Sequence, residues 1–188
     1  MENIGAYHLA DNPALYEPQR RNNFRFLITD IDGILRPGAT GENDTDALVN
    51  AQKYIDMAVV SQTVPTFTQS VIEIRRGNSV MKAAGIPTFN EGSLVVKDYI
   101  GADTKSILMA WQNLSYNVET EKVGRMSAYK KDCYLIEYDP DYKMVHQWLL
   151  KGCWISGIQM QEYTNESGDE QSITATIQYD KAFLQMPD

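Results

Sequence analysis

Histidine and cysteine are nearly missing from this chain, which holds two of each in 188 residues. His8 and His146 lie far apart, and Cys133 and Cys153 have no metal-ligand spacing, so a Cys/His zinc cluster is not expected. Each cysteine sits inside an apolar strand pattern, which predicts two buried thiols in a reducing compartment. There is no Gly-rich phosphate loop, no Gly-x-Ser-x-Gly and no His-Glu-x-x-His. No cofactor or metal is expected, and the missing sites move the reading towards a structural or binding role. No run of about 18 apolar residues exists, so no helix is expected to span a membrane. Met1–Gly5 lacks the basic segment and apolar core of a signal peptide, so the chain is expected to stay in the cytosol until it assembles or is released. Bases are in deficit, 17 against 25 acids, for a net charge of −8. A free-standing nucleic-acid binder would carry a basic balance or patch. The pairs Arg20-Arg21, Arg75-Arg76 and Lys130-Lys131 read as solvated faces or subunit contacts.

What is present is ordinary for a soluble globular domain: 43% hydrophobic and 22% charged residues. A chain of this length makes one domain and buries about two thirds of its unfolded surface. Residues 1–23 read as an N-terminal arm, and 36–63 as an insertion carrying a helix over 44–58. Its stripe is Ala47, Leu48, Ala51, Tyr54, Ile55 and Ala58, with Asn43 or Asp44 as cap.

The best helix lies in the stretch 87–116. Leu94, Val95 and Val96 make a compact strand between Gly92 and Gly101. Asp103 is placed to cap the helix that follows. Ile107, Leu108, Trp111, Leu114 and Val118 then form one apolar stripe. A helix on a sheet buries both apolar faces.

The remaining periodicity is mostly of strand type. Phe24 to Ile31, Thr66 to Arg76 and Tyr129 to Tyr138 read as strands. Met144 to Met160 reads as one long strand, or two bent at Gly152, apolar on both faces and so covered twice. In 172–179, Ile173, Ala175, Ile177 and Tyr179 alternate with Ser172, Thr174, Thr176 and Gln178, a half-buried antiparallel strand. Residues 78–92 read as a loop of about 15 residues, long enough to have a task of its own. It carries Val80, Met81, Ile86 and Phe89, which either tuck onto their own core or dock on a neighbouring subunit. Residues 119–128, with Val123 and Met126, read as a second polar connection open to contacts.

Phe26 to Leu35 also looks like the nucleophile motif of haloacid-dehalogenase-type phosphatases. There Asp30 would attack phosphorus and Asp32 would handle the leaving-group proton, with magnesium between them. Against it stand Ile34 at the usual Thr position, Arg25 inside what should be a buried parallel strand, and no βαβ alternation over 119–183. The plain reading of the two acids is a strand end followed by an Asp-Gly turn.

Five pieces, in this order, carry a family resemblance: Asp98 to Thr104, Ala110 to Leu114, Ser127 to Pro140, Trp148 to Ile158 and Ser172 to Asp180. Over roughly residues 65–183 the chain resembles the tail tube proteins of contractile-tailed bacteriophages. The resemblance implies an α+β, mainly β fold: an antiparallel two-sheet sandwich or barrel with a flanking α-helix. It implies a structural virion protein, not an enzyme, whose hexameric rings stack into a tube. The implied partners are further copies of itself and the sheath, baseplate, tape measure and terminator proteins. DNA would pass through the lumen without specific binding and without membrane insertion. The implied location is the host cytoplasm, then the virion. An acidic lumen would repel the DNA backbone, and the net charge is compatible with that. A type VI secretion-like tube protein or a baseplate tube initiator shares the fold. A monomeric β-rich binding module is the alternative of another class.

Overall fold

The computed structural model describes residues 18–35, 45–100, 104–164 and 168–185. The cap candidates Asn43, Asp44 and Asp103, most of the 1–23 arm and the stretch 36–44 lie outside the described residues. The chain runs β1 (Phe24–Ile28), α1 (Ile31–Leu35), α2 (Thr45–Ala58), β2 (Val59–Gln62), β3 (Phe67–Arg76), β4 (Ser79–Phe89) and β5 (Gly92–Lys97). It continues through α3 (Thr104–Ser115), β6 (Tyr116–Asn117), β7 (Lys122–Val123), α4 (Met126–Tyr129), β8 (Lys131–Tyr138), β9 (Met144–Met160), β10 (Ser172–Gln178) and β11 (Lys181–Gln185). Every strand pairing is antiparallel.

β9 joins two sheets. Its first half pairs with β8 on one side and β11 on the other, and β8 carries β1. Its second half pairs with β10, then come β5 and β2. The changeover falls at Gly152, where φ is +68°. That is the left-handed region, open to glycine and strained for other residues. A Cβ there would also lie 2.4 Å from Asp180 Oδ2. Asp180 cannot retreat freely, because Lys130 Nζ holds it at 2.8 Å and its own N–H donates to Lys151 O. Gly152→Ala is therefore expected to cost roughly 1–3 kcal/mol. In thermal unfolding followed by circular dichroism, Tm should fall by about 2–4 °C per kcal/mol for a chain of this size. An unchanged Tm would show that the corner does not depend on glycine.

Between the sheets lies one core: Phe26 and Ile28 from β1, Leu94 and Val96 from β5, Leu135 from β8, Leu150 and Ile155 from β9, and Ile173, Ala175 and Ile177 from β10. α3 closes it with Thr104, Ile107, Leu108 and Trp111, the i, i+3, i+4, i+7 face of a helix. The stripe does not reach Val118, because α3 ends at Ser115 and Val118 is exposed. The chain turns there: Asn117 Oδ1 accepts the N–H groups of Glu119 and Thr120, both at 3.0 Å, an Asx turn that closes the short β6–β7 pair.

α2 contributes to the core. Ala51, Ile55 and Ala58 are buried in the shared core. Gln52 donates through Nε2 to Phe26 O at 3.0 Å and accepts the Ile28 N–H at 3.3 Å. Its carboxamide thus takes the place of a neighbouring strand along the outer edge of β1. Beside it Asp56 accepts two N–H groups of Arg25. An unpaired edge is a template for another chain, and α2 blunts this one.

Three readings of the sequence need correction. Residues 78–92 are not a loop: β4 pairs with β3 across nine registered pairs, from Phe67↔Phe89 to Arg76↔Ser79. The strand from Phe24 ends at Ile28, and Ile31 opens α1 instead of extending β1. The strand placed from Tyr129 begins at Lys131, because Met126–Tyr129 form α4. β11 also lies past the last strand read from the sequence.

Candidate functional site

The most conspicuous surface is the β3–β4 ribbon. Among the described residues these strands pair only with each other. Every residue of β3 is exposed, and in β4 only Gly85 and Phe89 are not. A lone two-stranded hairpin is marginal in water. This one also has a sided chemistry, because directly paired residues share a face. Ile72 pairs with Ala83 and Ile74 with Met81, giving one face that is apolar until the Arg76–Ser79 pair at the tip. Val71 pairs with Ala84, Glu73 with Lys82 and Arg75 with Val80, giving a charged opposite face. A bulge between Gln69 and Val71 bends the ribbon near its root.

The residues picked from the sequence divide on this geometry. Met81 lies on the apolar face at 57% exposure, and Val80 lies on the charged face. Ile86 beside the bulge is the most exposed of them, at 80%. Phe89 is different: its ring lies 5.6 Å from Phe67 and 6.1 Å from Tyr179, packed on the chain's own core. It roots the ribbon on the chain's own core. Val123 pairs with Tyr116, so both side chains stand on one face of the β6–β7 pair. Met126 follows at the start of α4, and all three are exposed. Ile72, Ile74 and Tyr116 were missed by sequence reasoning. The β3 pair was legible as strand residues, but without the partner strand no face could be assigned to them.

The charged clusters are structural. Lys131, buried at the start of β8, pairs with Asp30. Asp30 Oδ1 also accepts the Gly33 N–H at 3.0 Å. The hydrogen bond from the Lys131 ammonium, aided by that N–H and opposed by burial, holds the Asp30 carboxyl below its usual range. A carboxylate with a depressed folded pKa stabilises the fold above its unfolded pKa, about 3.9, and loses that contribution as pH falls through the folded value. Asp30→Asn should therefore unfold at lower temperature than the wild type at pH 7, and the two should converge as the pH falls below about 4. An equal gap at both ends, in thermal melts from pH 7 to pH 3, would contradict this. Cys133 and Cys153 are fully buried, and burial pushes the Cys133 thiol well up, towards the inert protonated form. Between β1 and β2 opens a groove of about 710 Å³ that includes Arg20, Arg21, Arg25 and Asp56. The Arg25–Asp56 pair in this groove is joined at 2.7 Å. Among the described residues no three His, Cys, Asp or Glu side chains converge as a metal site.

No protein-family model and no curated protein matches this sequence. Solved structures do match, over nearly the whole chain. The PVC sheath–tube complex of an extracellular contractile injection system, in its extended state, aligns with a TM-score of 0.65 and 15% identity. That alignment covers 94% of this chain and 97% of the other. The tube-terminating cap of the anti-feeding prophage (AFP) aligns at 0.64 with 14% identity, over 95% and 97%. The six-fold symmetrised AFP baseplate aligns at 0.61 with 12% identity, over 90% and 97%. The chain shares the fold of these injection-system chains.

That fold removes the phosphatase reading. A phosphoryl-transfer Asp of that type ends a parallel strand buried among others. Here Asp30 follows β1, an outer strand antiparallel to β8, and its carboxylate is held by Lys131 and the Gly33 N–H. Asp32 lies within α1, not in a strand-end loop. The most extended exposed apolar surface outside the core is the Ile72–Ile74–Met81 face of the ribbon.

Proposed function

We propose that the protein is the tube subunit of a contractile, phage-tail-like particle. Six protomers close into a ring and rings stack into a hollow tube, through which the genome passes if the particle is a phage tail. The observation that carries this reading is the β3–β4 ribbon. A domain with a complete core elsewhere extends a hairpin too weak to stand alone, with an apolar face towards water. A neighbouring copy supplies the missing cover. The near full-length likeness to sheath–tube, cap and baseplate structures supports the same reading, and the six-fold symmetrised AFP baseplate supports six as the ring number. The sheath, baseplate, terminator and tape measure proteins follow as partners. Within the tube the ribbon and the Tyr116–Met126 surface make contacts between subunits or rings, and α3 faces away from the lumen. The AFP baseplate likeness also favours a second reading, a tube-initiating subunit whose rings do not stack.

Sedimentation velocity over a range of concentrations tests the assembly. The expected result is a shift from the 21.3 kDa protomer to rings about sixfold heavier and then to polymers. A single protomer-sized species at every concentration would support the monomeric binding module instead. Rings without polymers would favour the initiator.

A further inference from the structure

We infer that Met81 is a redox modification site: oxidation of its thioether to the sulfoxide by a peroxide stops a protomer from joining a tube. The inference rests on the tube reading above and goes beyond it by naming a chemical event that governs assembly.

The sulfur of this chain is divided by position. The sequence holds eight methionines, a residue type that is among the most often fully buried. Among the described residues the six methionines, Met57, Met81, Met109, Met126, Met144 and Met160, all lie on the surface, between 38% and 74% exposed, and the core holds none. The two cysteines are the reverse, both fully buried. Cysteine oxidation follows exposure of a thiolate, and neither sulfur is exposed. An oxidant arriving from solvent therefore meets thioethers before it meets a thiol.

Met81 stands apart from the other methionines by its surroundings. It faces Ile74 across the ribbon, and the next pair on that face is Ile72 with Ala83. None of these three side chains carries a hydrogen-bond donor. The Arg76–Ser79 pair closes the face at the tip, where the Ser79 hydroxyl donates to Arg76 O at 3.0 Å. Oxidation turns a flexible apolar side chain into a polar one. In the free protomer water solvates the new oxygen. When a neighbouring copy covers the face, the oxygen loses that water and gains no donor from the apolar pairs, and a buried acceptor without a partner is unfavourable.

The chemistry needs only a peroxide. A lone pair of the Met81 sulfur attacks one peroxide oxygen. The S–O bond forms as the O–O bond breaks, and the second oxygen takes up the proton of the first and leaves as water. Sulfur is oxidised by two electrons, and the peroxide is reduced by the same two. Methionine sulfoxide reductases reverse the change, using two thiols that end as a disulfide and releasing water. A protomer oxidised before assembly is thus shut out of growing tubes until it is repaired. One already in a tube keeps Met81 covered by its neighbour.

Peroxide treatment of free protomers tests the site. Wild type and Met81→Leu are treated with hydrogen peroxide, the peroxide is removed with catalase, and assembly is read by sedimentation velocity. Leucine keeps a similar apolar volume and has no sulfur to oxidise. Met81→Ile takes its place if untreated Met81→Leu does not assemble. Peptide mass spectrometry checks that the other exposed methionines are oxidised equally in both proteins. The concentration needed for tubes should rise at least about tenfold in treated wild type and stay within about twofold of its untreated value in treated Met81→Leu, as expected for one unpartnered buried acceptor per contact. Methionine sulfoxide reductases for both epimers should restore the treated wild type. Treated wild type that assembles at its untreated concentration would overturn the inference. So would treated Met81→Leu that loses assembly as the wild type does, because the damage would then lie at another methionine, such as Met126 on the second contact surface. Untreated wild type that forms no tubes would sink the proposed function, whereas the peroxide outcomes would sink only the modification site.

Discussion

Tubes will not form from the double variant Ile74→Glu, Met81→Glu, and its protomer will keep the core, melting within a few degrees of the wild type. The two residues are a cross-strand pair on the apolar face of the ribbon, 44% and 57% exposed in the isolated protomer. Burying an apolar side chain of this size contributes about 1.5–3 kcal/mol. Replacing it with a carboxylate removes that gain and adds the cost of desolvating a charge without a partner. The penalty recurs at every protomer of a polymer, so a loss of a few kcal/mol per contact is enough to stop growth. The core of the protomer hardly notices, because both residues are exposed and lie outside it, while the two opposed carboxylates weaken the ribbon itself by about 0.2–1 kcal/mol. Sedimentation reads assembly and circular dichroism melting reads stability. Val80→Glu is the internal contrast: it lies on the charged face with Arg75, Glu73 and Lys82, so its effect on assembly should be much smaller. Tubes of normal length from the double variant would show that the apolar face is not a contact.

Trp111→Ala is expected to cost about 3–5 kcal/mol, the largest stability loss of any single substitution considered. Trp111 is 0% exposed at the centre of α3's inner face and touches the shared core of both sheets. Removing the indole leaves a cavity that packed neighbours fill only in part. It also removes the bond from Nε1 to Tyr129 O at 2.9 Å, which ties α3 to α4. At about 2–4 °C per kcal/mol for this size, Tm should fall by roughly 6–20 °C. Trp111→Phe keeps much of the volume and loses the donor, so its loss should be clearly smaller. Equal losses for the two would mean that the hydrogen bond, not the packing, dominates the site.

Long and strongly periodic elements were legible from residues alone. Ser172–Gln178 alternates without a break, and its burial follows the alternation. Met144–Met160 is one strand with the bounds its apolar run suggested, and its bend falls at Gly152. The α3 stripe and the helix through Ala58 were visible for the same reason. β4 was not. Ala83, Ala84, Gly85 and Pro87 have poor strand propensity, and pairing with β3 makes them a strand. A two-stranded ribbon is all edge, the setting in which proline is tolerated. The edge cap by Gln52 was also invisible, because it depends on a helix and a strand distant in sequence meeting in space. Among the candidate contacts, Val80, Met81, Ile86, Val123 and Met126 are exposed, while Phe89 has the chain's own Phe67 and Tyr179 as neighbours. The net charge is compatible with an acidic lumen, but a sum over the chain cannot locate its acids.

The most direct test of the tube reading is negative-stain electron microscopy of the purified wild-type protein at high concentration. The account predicts rings of six and hollow tubes of one uniform width. Compact particles of protomer size at every concentration would contradict it.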